Sequence, residues 1–208
     1  MPELAPDSVE VVELARGKAY VVVRARNADV LVLDRLGRVV RSRQRLAAIG
    51  RHICAVQQVG RAFEEARLPQ RAEQAEQSIA LLGKLMAARP AKATILQGVT
   101  GSLVALREAL QLAHMQAQRW KEAPPTERTL RRSVLLLNDA AVADRAVVRA
   151  LRQLGAELRP DSSDPPSDKL RRWVLARLSA PDVPFFMHEL AAADQSRYAS
   201  WFAKISRG

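Results

Sequence analysis

The sequence predicts an α+β protein, mostly helical, with a small N-terminal antiparallel β-meander packed on a three-helix bundle and followed by a C-terminal helical unit. Three observations predict it. Val-rich segments separated by turn signals fill residues 9–41. Apolar residues recur at steps of three and four from Leu46 onward. Aromatic content is only 4% against 48% hydrophobic residues, with Ala abundant, as suits closely approaching helices.

The strands come first. The runs VEVVEL, AYVVVRA and VLVLD are short and β-branched. ARGK, Arg26-Asn27-Ala28-Asp29 and Arg35-Leu36-Gly37-Arg38 punctuate them. This spacing leaves no room for crossover helices, so three or four strands must run antiparallel. Such a sheet must lay one face on something apolar. Leu46, Ile49, Ile53, Val56, Gly60 and Phe63 supply that surface on a helix from about 42 to 67, stopped by Leu68-Pro69. Ala47, Ala48, Cys54, Ala55 and Ala62 make a second small-residue face, so this helix is expected to be sandwiched.

A second stripe, Ala72, Ala75, Ile79, Leu82 and Met86, ends at Arg89-Pro90. A third runs from Leu96 through Leu103 and Leu110 to Trp120. Gly98 and Gly101 would each cost about 1 kcal/mol inside a helix, so the third helix is expected to begin at Ser102. Short connectors favour antiparallel neighbours in a bundle. Pro124-Pro125 marks a boundary between two domains, 1–121 and 126–208, with Thr126 as a cap. Helices are expected at 127–137 and 140–154, then, after the loop at 159–168, at 168–179, 184–193 and 195–205. The stretch 168–205 has the layout of a helix-turn-helix unit that would present Ser196, Arg197 and Ser200 to a groove. Phe185, Phe186, Tyr198, Trp201 and Phe202 are expected to form its aromatic core.

Charge is the sharpest functional signal. The formal net charge is +11, from 33 Lys+Arg and 22 Asp+Glu. Residues 1–14 carry four acidic groups and no base, whereas residues 16–53 hold ten Lys/Arg against Asp29 and Asp34, a net of +8. Arg35, Arg38, Arg41, Arg43, Arg45 and Arg51 gather at the last hairpin and the first helix, and two of them sit at a helix N-terminus against its dipole. Arg145, Arg149 and Arg152 fall on one face of a later helix. Guanidinium groups in such number suit phosphate contacts. The leading expectation is a non-enzymatic, DNA- or RNA-binding accessory protein using these residues and Arg197. The alternative is a structural subunit or protein–protein adaptor, its basic face meeting an acidic protein or its helices forming a homo-oligomer. The plain reading is a solvated basic surface whose Arg stems cover the meander.

Other chemistry finds little support. His52, His114 and His188 are far apart. His52 and Cys54, two apart on a helix, point to different faces, so no metal site is expected. Gly98–Ser102 lacks the Lys of a phosphate-binding loop, and Asp161, Asp164 and Asp168 read as turn residues. No catalytic residues, enzymatic activity or cofactor are therefore expected. One cysteine excludes an internal disulfide. The acidic start does not resemble a secretion signal, and no apolar run approaches about 18 residues, so a cytoplasmic location with no membrane contact is expected.

Overall fold

The computed structural model describes residues 6–15, 18–25, 30–88, 93–123 and 125–157, together with Arg172 and Val174. Three strands lead the chain: β1 (Pro6–Ala15), β2 (Lys18–Ala25) and β3 (Val30–Leu33). They form an antiparallel sheet in the order β1-β2-β3. Four helices follow: α1 (Arg43–Glu65), α2 (Leu68–Ala88), α3 (Ala93–Glu122) and α4 (Glu127–Glu157). The coarse class expected from the sequence is therefore observed.

Two compact units are built from discontinuous stretches. One holds the sheet, nearly all of α1, the last turns of α3 and the first turns of α4. The other holds α2 and most of α3 and α4.

In the first unit, strand alternation decides which residues go inward. Val12, Val22 and Val32 are 4%, 0% and 2% exposed and join Val40, Leu46, Ile49 and Ile53 in one core. Leu14, Tyr20 and Val30 pack against it. The stripe Leu46-Ile49-Ile53 thus covers the sheet, as its spacing predicts. Gly50, Cys54, Val59 and Ala62 are buried too, so α1 is enclosed on more than one side. Phe63 meets Trp120 edge to face with ring centroids 5.7 Å apart. The fully buried Ile49 makes this core sensitive to truncation: Leu or Ile to Ala in such sites costs about 2–5 kcal/mol.

In the second unit the buried stripes are Leu82 and Leu85 on α2, Leu96 to Ala113 on α3, and Leu137, Val147, Leu151 and Leu154 on α4. Val174 is also buried. Arg107 on α3 reaches Glu76 on α2, Nη1 to Oε2 2.7 Å.

Three boundaries differ from the sequence reading. Pro69 does not stop α1; it lies in the first turn of α2, where its missing N–H has no intrahelical role. The break is made by Arg67, which adopts a left-handed φ of 46° and whose carbonyl accepts from Arg71 N (3.1 Å). Next, α3 begins at Ala93, not Ser102, and runs straight through Gly98 and Gly101. Leu96, Val99 and Leu103 are each at most 2% exposed. Burial at about 1.5–3 kcal/mol per large side chain outweighs two glycine penalties of about 1 kcal/mol. Finally, the helices expected at 127–137 and 140–154 are one continuous α4. Asn138-Asp139 does not interrupt it because Leu137, Ala140 and Ala141 beside them are completely or almost completely buried.

Candidate functional site

The basic junction begins at a well-built turn. Asp34 Oδ1 accepts hydrogen bonds from Leu36 N (2.9 Å) and Arg38 N (3.0 Å), and Oδ2 accepts from Arg38 Nε (3.0 Å). Asp34 N donates to Arg38 O and Gly37 N to Asp34 O, both at 2.9 Å. Gly37 supplies the positive φ of 72° that this closure needs. The amide of Arg38, with smaller contributions from the amide of Leu36 and the Arg38 guanidinium, holds the Asp34 carboxyl below its ordinary value of 3.8. Leu36 stands 74% exposed at the tip. Behind the turn, Val40 N donates to Val32 O (2.8 Å) and Leu33 bridges Val39, so the chain returns along β3 before entering α1.

The helix entry differs in character. Ser42 accepts from Arg45 N at its hydroxyl (3.5 Å) and from Leu46 N at its carbonyl (2.9 Å), which fixes it as the N-cap. No acidic residue occupies the first turn of α1. Arg41, Arg43, Arg45 and Arg51 are all exposed, and among the described residues none has a carboxylate oxygen within 4 Å.

Helix geometry sorts these side chains further. At about 100° per residue, Arg43 and Arg51 lie about 80° apart on one side of α1, and about 12 Å apart along it. Arg45 lies about 120° from Arg51, so the helix does not gather all three on a single face. Arg41, Arg43 and Arg45 are thus neighbours in sequence at the entry, but Arg43 and Arg45 lie about 160° apart around α1, and Arg51 follows two turns on. Arg38 is committed to Asp34 within its own turn. Arg35 is exposed and also interacts within the chain.

In the second unit, Arg145, Arg149 and Arg152 are exposed on α4. Their spacing spans about 60° of arc, as the sequence predicts. Arg145 has an intramolecular partner, whereas Arg149 and Arg152 form no ion pair among the described residues. Val142, 54% exposed, shares this side of the helix. Arg197 and the segment expected to form a helix-turn-helix lie outside the described residues, apart from Arg172 (exposed) and Val174 (buried).

His52 is 7% exposed, and its Nε2 donates to Pro125 O at 2.8 Å. A carbonyl can only accept, so this contact places the proton on Nε2. Cys54 is buried. A shallow depression beside His114 is lined by Pro69, Ala72, Glu73, Glu76 and Gln111. Among the described residues there is no group of three or more His, Cys, Asp or Glu able to hold a metal ion. Nor is any described helix long and apolar enough to cross a membrane.

Two features were missed in the sequence. Asp144, 1% exposed, is a buried carboxyl on α4. The outward side of the sheet is apolar, with Val9, Val11 and Val39 at 59%, 52% and 49% exposure. The unbroken apolar runs YVVV and VLVL carry the signal for the second, because a one-sided sheet would alternate. Comparison with known proteins adds no relative: no family model, curated protein or solved structure matches the chain.

Proposed function

We propose that this protein is a non-enzymatic nucleic-acid-binding accessory protein that grips phosphates through the entry of α1. The observation that carries this reading is the group Arg41, Arg43, Arg45 and Arg51, exposed and without a carboxylate within 4 Å among the described residues. An internally neutralised basic surface would pair such groups with carboxylates; among the described residues these four have none. The acid-free first turn adds the positive end of the helix dipole to the same region. Arg149 and Arg152 on α4 offer a second set of contacts.

The mode of recognition follows from residue type. Bases are read by stacking or by hydrogen bonds to their edges, whereas guanidinium groups at a helix entry suit phosphate oxygens. Tyr20 packs against the sheet core, and Phe63 and Trp120 pair with each other. None of these three is a free stacking platform at the junction. Binding is therefore expected to depend little on sequence and strongly on ionic strength.

Fluorescence anisotropy with a labelled duplex of about 20 base pairs, titrated from about 50 to about 200 mM salt, tests this. Four phosphate contacts should give a log–log slope near −3.6, at about −0.9 each. Binding that ignores salt, or no binding at the lowest salt, overturns the reading. A single-stranded RNA of matched length, whose slope per contact is nearer about −0.7, separates the two nucleic acids.

A further inference from the structure

We draw no further inference here: the strongest candidate, the apolar outward face of the sheet around Val9, Val11 and Val39, carries nothing because nothing among the described residues shows what covers it.

Discussion

The turn at Asp34–Arg38 and the helix entry at Arg41–Arg45 are neighbours in sequence and share one residue type, yet they use their charge in opposite ways. In the turn, one carboxylate takes three hydrogen bonds and holds Arg38 as part of the scaffold. At the entry, no acid lies in the first turn of α1, and Arg41, Arg43 and Arg45 point into solvent. A run of arginines is thus divided by a single Asp into a structural part and an available part. Density of charge along a chain says little until the position of the opposite charge is known.

Reversing the available part should produce the largest change. The combination Arg43→Glu, Arg45→Glu and Arg51→Glu is expected to lower duplex affinity by about a hundredfold or more and to flatten the salt slope by about 2.7. The matched control, Arg38→Gln, should shift affinity by less than about threefold. Equal losses from both would abolish the distinction drawn between the two regions. Asp34→Asn converts the structural part toward the available one. It should raise affinity by about two- to threefold through the released guanidinium, and lower the melting temperature as the turn loosens. The wild-type carboxyl should titrate below 3.8 by NMR. Folding favours its ionised form, so its contribution is complete above that ordinary value and is lost as pH falls through the lowered one. The smallest effect belongs to Ser42→Ala. With a cap contact as long as 3.5 Å, thermal unfolding should show a loss of about 0.5 kcal/mol, at the low end for N-caps.

The comparison also marks what could be read without coordinates. The three strands, the stripe Leu46-Ile49-Ile53, the turn around Gly37 and the Thr126 cap were legible because each depends on local periodicity or on one backbone requirement. Thr126 Oγ1 indeed accepts from Thr129 N at 3.2 Å. The start of α3 and the unity of α4 were not, because both are decided by burial at Leu96, Val99, Leu137 and Ala140, a tertiary quantity. For the candidate site, the residue types and the one-sided spacing of Arg145, Arg149 and Arg152 were visible. The capture of Arg38 by Asp34 was not, although an Asp four residues before an Arg across a Gly-containing turn is a pattern that could have shown it.

The two glycines inside α3 have a consequence for how that helix opens. Neither Gly98 nor Gly101 has a neighbouring atom within 4 Å of where a side chain would begin, and both are solvent-facing or nearly so. The first turns therefore rest on three anchors, Leu96, Val99 and Leu103, with weak intrinsic helicity between them. Amide protons there should exchange with deuterium well before those around Leu106 and Leu110, giving α3 a protection gradient that rises toward its middle.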